Sequence, residues 1–350
     1  MYWIWFDSVV ENVTMASAKK NIVILATGGT IAGAGEQGKD IGYKSGSIEA
    51  QTLIDAVPEL KDVANIFVEQ VCNINSDDIT SEIWISLALR IKELSENGFG
   101  DSHESVDGFV IMHGTDTMEE TAFFLSLVLN TAKPVVLTGS MRPATAAEPD
   151  GPANLLFAVK CAVEQSLQRP ERAEGVAGSV ILSNAEGSSD SPVRIAFAGK
   201  LMDSRTVQKI HANDLDAFAE IGAALSSRPA FGISSLRSLP KVSVLYFNAD
   251  ADADLVRYAA ERSAGLVIAG AGAGEFSQSW AAAISDAIAQ KKIPVVISTR
   301  INRGCIVPEQ LLVPGSIAAY SLPPAKAAVL LRLALTITRN PVEIQKIFNE

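Results

Sequence analysis

Two stretches of the chain place hydroxyl side chains directly after what read as buried strands. "TGGTIAGAG" (27–35) follows an apolar run, and "HGTDTMEE" (113–120) follows "GFVIM". Glycines let the backbone turn sharply and approach a ligand closely, whereas the hydroxyl of Thr30 is not something a tight turn requires. Thr115 and Asp116 stand directly before Thr117-x-x-Glu120, the spacing of a capping box that opens an apolar helix. Both side chains are therefore expected at a helix N-terminus, where N–H groups and the dipole favour negative charge. A threonine hydroxyl is a weak nucleophile at neutral pH and needs a base beside it. A lysine held by a carboxylate can serve. No Ser-His-Asp order and no G-x-S-x-G are present, and His113 reads as a packed core residue. Threonine with lysine or tyrosine is the economical reading. Taken singly, each threonine is explained as a turn or cap residue; two of them plus an acid at one sheet edge point to chemistry.

These side chains need strands that end together. Short β-branched runs alternate with longer amphipathic segments, the pattern of βα units around a parallel sheet. Strands are predicted at 21–26, 66–74, 108–112, 134–138 and 178–183, with helices near 48–56, 80–97, 117–130 and 152–166. The alternation resumes with strands at 241–247, 265–269 and 294–298 and helices near 252–263, 278–291 and 323–337. The fold class is α/β, with a larger N-terminal doubly wound domain over 19–225 and a smaller C-terminal α/β domain over 241–350. The Ser, Pro and Gly content of 226–240 reads as a linker, and 184–205 as a long surface excursion. In such sheets ligands gather beyond the carboxyl ends of the strands. "GAGEQG" (33–38) matches G-x-G-x-x-G but neither follows a strand directly nor opens a helix, so it reads as a mobile loop carrying Tyr43 rather than a dinucleotide site.

The formal charge of −11 and the lack of a basic cluster argue against nucleic acid and anionic membranes as partners. With 48% hydrophobic and 20% charged residues, the composition is that of a packed globular protein rather than a disordered one. Cys72, Cys161 and Cys305 lack metal-ligand spacing and are expected as buried free thiols, and His is too scarce for a zinc site. Asp7 and Glu11 interrupt the apolar N-terminal run, so 1–18 is expected to be a disordered extension rather than a signal peptide, and the cytoplasm is the expected compartment, with the periplasm or export as the alternative.

"ILATGGTIAGAG" and "DGFVIMHGTDTMEETAFFL" together resemble the signature stretches of the bacterial-type L-asparaginases and glutaminase-asparaginases. Weaker likeness runs from about Asn21 to Glu350, including "DGPANL", "LPKV" and "AKAAVLLRLALT". The resemblance implies an asparaginase-like fold and hydrolysis of L-asparagine to L-aspartate and ammonia, with L-glutamine as a side substrate and without metal or cofactor. It implies Thr30 as nucleophile with Tyr43 as its hydrogen-bonding partner, and Thr115, Asp116 and Lys209 as a second catalytic group, Lys209 being placed by "SRTVQKIHANDLDAF". Gly29 and Thr115 would donate to the developing oxyanion. Ser76 in "NINSDDIT" would hold the substrate α-carboxylate, Asp116 the α-ammonium, with Asp77 adjoining. A homotetramer built from tight dimers is implied as well.

The chain departs from the family pattern at Ala273, where asparagine is common, and Glu309 is the nearest match to a glutamate that a neighbouring subunit contributes. The cysteine pair of some periplasmic members is absent. A catalytically weak amino-acid-binding relative and a dinucleotide-dependent oxidoreductase remain as alternatives.

Overall fold

The structure, a computed structural model, describes residues 18–34, 48–168, 191–222 and 228–349. The 1–18 extension apart from its last residue, Tyr43, most of "GAGEQG" and the strand predicted at 178–183 lie outside the described residues.

A six-stranded sheet is formed by β1 (Asn21–Gly28), β2 (Asn65–Ile74), β3 (Gly108–Met112), β4 (Val135–Thr138), β5 (Val193–Phe197) and β6 (Lys200–Asp203) in the order β2-β1-β3-β4-β5-β6. All neighbours are parallel except the β5–β6 pair. Parallel strands covered on both faces read as continuous apolar runs, and β1 has seven of its eight residues buried. Ile22, Ile24 and Ala26 face α5 (Gly151–Gln168) together with α1 (Ala50–Asp55) and α2 (Leu60–Val63), while Val23 and Leu25 face α3 (Ser81–Asn97) and α4 (Met118–Val128). Chain order reverses direction between β1 and β3, and that switch point is where the strand ends open a crevice.

A two-stranded pair, β7 (Val207–Lys209) and β8 (Phe218–Glu220), leads to a second, four-stranded parallel sheet in the order β12-β11-β10-β9. Its strands are β9 (Val242–Tyr246), β10 (Gly265–Gly270), β11 (Val295–Thr299) and β12 (Ile317–Ala318). α6 (Asp254–Ala260) and α7 (Gln278–Ala289) cover one face. α8 (Pro324–Ala334) and α9 (Pro341–Asn349) cover the other, where Leu330, Leu331 and Phe348 share one continuous core with Val267 and with Phe123 and Leu125 of α4.

Most predicted elements are found within a few residues of their expected ends. The 184–205 stretch differs: its described part is not an excursion but holds β5 and β6, with Val193, Ile195 and Phe197 buried as a central strand should be. Polar residues on both sides hid it. The described part of the expected linker packs on the core through Phe231, Ile233 and Leu236. α9 is an element that alternation alone did not reveal, although Asn340 accepts the Val342 N–H at 2.9 Å and Pro341 occupies the first turn. Among the cysteines Cys161 is buried, Cys72 half-buried and Cys305 exposed; the expectation fails for Cys305 because it follows β11 in a surface turn. Among the described residues no helix is long and apolar enough to cross a membrane, and no three His, Cys, Asp or Glu side chains cluster to hold a metal.

Candidate active site

Three strand ends converge on the switch point. At the end of β1, Gly28 and Gly29 adopt φ of 105° and 81°, a region that side chains strongly disfavour. A Cβ on Gly29 would lie 2.5 Å from Gly114 Cα, and one on Gly114 would lie 2.7 Å from Ser76 Oγ. Residues 29, 76 and 114 therefore touch because two of them lack side chains. Thr30 follows at once, partly exposed at the start of a 3-10 turn (Thr30–Ala32) whose Ile31 and Ala32 are buried. The described residues that follow directly on β1 form this 3-10 turn; those after Ala34 lie outside the described residues. The Gly29 N–H donates to Ile74 O at 2.9 Å, tying the end of β1 to the end of β2.

Ser76 ties this edge to the α4 entrance. Its hydroxyl oxygen accepts the Asp116 N–H at 3.2 Å, and its carbonyl accepts the Thr117 hydroxyl at 2.6 Å. The predicted capping box is thus not made; Thr117 turns outward to Ser76 and gives no side-chain cap to its own helix. Asp77 lies exposed in the 3-10 turn Ser76–Asp78 that follows β2.

Lys209 arrives from β7, 93 residues after Asp116 in the chain, and its ammonium donates to Asp116 Oδ1 at 2.6 Å and to Thr115 Oγ1 at 2.9 Å. The Lys209 side chain is mostly buried, whereas that of Asp116 is 67% exposed. An ion pair so placed contributes about 0–1 kcal/mol to stability, so its importance is geometric: a carboxylate, an amine and a hydroxyl stand in a row. Thr115 itself is buried, and its hydroxyl accepts from the Lys209 ammonium in that row.

His113, directly beside these residues, is no base. It is fully buried; Nδ1 lies 2.7 Å from Gly114 O and Nε2 2.9 Å from Thr121 Oγ1, which accepts the Trp84 indole N–H at 2.8 Å. A carbonyl only accepts, so Nδ1 carries the proton and Nε2 accepts from Thr121. Both nitrogens are engaged, and burial pulls the imidazole pKa down to about 4, so the ring is a neutral strut.

Behind the row lies a set of charges that the motif reading did not include. Glu119 Oε2 accepts the Lys209 backbone N–H at 2.6 Å; burial raises its carboxyl, with Lys326, the bond to Lys209 and the Lys209 charge opposing. Burial pushes Glu120 up to about 7, the neighbouring Glu119 charge adding and Arg332 and Lys326 opposing. "MEE" was legible as a helix start, but which glutamate turns toward the site is not a property of spacing. Ala273 and Glu309 sit exposed on the second sheet's side, Ala273 in the turn after β10 and Glu309 in the 3-10 turn Pro308–Gln310.

Residues 21–227 match the family model "Asparaginase, N-terminal" and residues 241–348 match "Glutaminase/Asparaginase C-terminal domain". The chain is 38% identical to L-asparaginase 2 of Bacillus subtilis, covering 97% of this chain and 90% of that protein. It is 37% identical to L-asparaginase 2 of Escherichia coli, covering 96% and 94%. Other relatives are named glutaminase-asparaginase. The crystal structure of a probable cytoplasmic L-asparaginase from Campylobacter jejuni superposes with a TM-score of 0.80 at 36% identity, covering 95% of this chain and 99% of that one. Two signature strand ends, a lysine row at the switch point and likeness along nearly the whole length agree, and the chain belongs to the asparaginase family.

Proposed function

We propose that the protein is an L-asparaginase, an amidohydrolase converting L-asparagine and water to L-aspartate and ammonia, with L-glutamine as a side substrate. The observation that carries this reading is Lys209 bonded to both Thr115 and Asp116 beside Thr30 at the switch point. Thr30 Oγ attacks the carboxamide carbon and its proton passes to the departing nitrogen; the C–N bond breaks, ammonia leaves, and water then cleaves the threonyl ester, returning the hydroxyl proton. Thr115 and Lys209 handle the proton of the attacking water, and the family resemblance gives Tyr43 as the partner of the Thr30 hydroxyl. Ser76 Oγ accepts an N–H from Asp116, which leaves its own hydrogen to donate to the substrate α-carboxylate. Asp116, with Asp77 adjoining, takes the α-ammonium.

The 2.9 Å contact from Lys209 Nζ to Thr115 Oγ1 favours a second reading in which Thr115 is the nucleophile. Ammonia release by Thr30→Ala and Thr115→Val, with mass spectrometry of peptides from acid-quenched turnover, separates the two. An acyl mass on the peptide holding Thr30 supports the first reading, and one on the Thr115 peptide supports the second. Asparagine raising the melting temperature with no ammonia released would leave only a binding protein.

The division into an extension at 1–18, domains at 19–225 and 241–350 and a joint at 226–240 is supported by family matches that end at 227 and resume at 241. A homotetramer is the assembly that the family resemblance implies; light scattering on the purified protein tests it. Cytoplasmic residence is supported by three unpaired cysteines.

A further inference from the structure

α8 is an apolar helix with a cation in it: "PAKAAVLLRLA" carries Lys326 at 0% exposure. Its ammonium donates to the carbonyls of Ser204 (2.9 Å), Arg205 (2.9 Å) and Val207. An ammonium has three donors, and all of them end on one short run of backbone. Burying that charge is costly, and apolar residues of similar volume often serve stability as well or better. What the apolar alternative could not do is grip carbonyls.

The gripped run leads directly into Lys209. Among the described residues β7, three residues long, pairs only with β8, outside both larger sheets, and Val207 and Phe218 seat the pair on the main core. Polar anchors on its backbone add to that seating. Lys326 holds the carbonyls at 204, 205 and 207, and Glu119 of α4 holds the N–H at 209. Glu119 stands three residues after Asp116, so the helix start that receives the Lys209 ammonium also fixes the Lys209 backbone. Displacement of a catalytic group by about 1 Å can cost about a hundredfold in rate.

We propose that Lys326, from the smaller domain, and Glu119 are positioning residues that set β7 and so aim Lys209 at Thr115. This rests on Lys209 being part of the catalytic machinery. Lys326→Met lowers kcat for ammonia release from asparagine roughly 10–100-fold with KM changed less than about threefold, and speeds hydrogen exchange in peptides covering 204–210 while leaving 21–34 as in the parent protein. Glu119→Leu lowers kcat in the same way, and Glu119→Gln, which keeps an oxygen for the Lys209 N–H, restores most of it. Parent-like kcat in Lys326→Met or in Glu119→Leu, with Lys209→Met inactive, overturns the positioning while leaving the asparaginase reading intact. Full turnover in Lys209→Met overturns the catalytic reading, and exchange over 204–210 then decides the anchoring alone. If Lys326→Met does not fold, the Glu119 pair decides, and equal loss in Glu119→Gln and Glu119→Leu counts against it.

Discussion

The backbones of Gly29 and Gly114 are in direct contact: a methyl group on the first would stand 2.5 Å from the Cα of the second. This contact brings the residues after β1 and β3, Thr30 and Thr115, to one spot at the switch point. Gly29→Ala must push the two strand ends apart while also bearing a φ of 81°. Overpacking of this kind costs about 1–3 kcal/mol. A lowered denaturation midpoint and at least a tenfold loss of ammonia release are expected; parent-like values for both would show that the ends yield easily.

Asp116 should separate function from stability. Its side chain is 67% exposed, so Asp116→Asn costs about 0–1 kcal/mol of stability. Turnover is expected to fall by about 10²–10⁴-fold, because the carboxylate holds the Lys209 ammonium of the acid–base pair and losing a positioned acid–base group usually costs that much. Steady-state ammonia release together with thermal melts checks this, and a stability loss matching the activity loss would make the residue structural.

Two buried groups give opposing pH dependence. The His113 pKa falls to about 4, so the unfolded state binds its proton first; that contribution is present above about 6.5 and lost as pH falls toward 4. Glu120 rises to about 7, so its contribution is present below about 4.5 and lost as pH rises toward 7. Each amounts to roughly 3 kcal/mol at most, and in the parent protein they offset one another between about pH 4.5 and 6.5. Denaturant melts across that range should find the slope of stability against pH shifted upward in Glu120→Gln and downward in His113→Gln, each relative to the parent protein. The same slope in both variants would refute the opposing pair.

Thiol reactivity should follow exposure. Cys305 is exposed, Cys72 is half-buried with its thiol raised by burial, and Cys161 is buried with its thiol pushed up to about 11 by burial and the Glu164 charge. Alkylation of the native protein followed by peptide mapping should label Cys305 first and Cys161 last. Early labelling of Cys161 would mean that α5 opens readily.

Local signals carried much of the fold. The apolar runs at Ile22–Leu25 and Phe109–Met112 can hardly be anything other than strands buried on both faces, and Thr80 and Ser277 cap α3 and α7 where helix starts were expected. β5 was obscured because its five residues lie between polar turns, so no window long enough to show a period exists around it. The capping box that the spacing predicts at Thr117 is not formed for a related reason: Thr117 has a tertiary partner, the carbonyl of Ser76, 41 residues away in the chain.

For the site, the sequence by itself determined the chemistry at hand: hydroxyls at Thr30 and Thr115, a carboxylate at Asp116, and glycines where backbones must meet. Those are properties of residue type and of position after a strand, which periodicity reveals. Only the tertiary structure decided that Lys209 reaches Thr115, that His113 is locked as a strut, and that a lysine in α8 grips the strand behind the site. Each of these depends on where a side chain ends after crossing between elements far apart in the chain, and such a distance is set by packing of whole layers rather than by any local spacing.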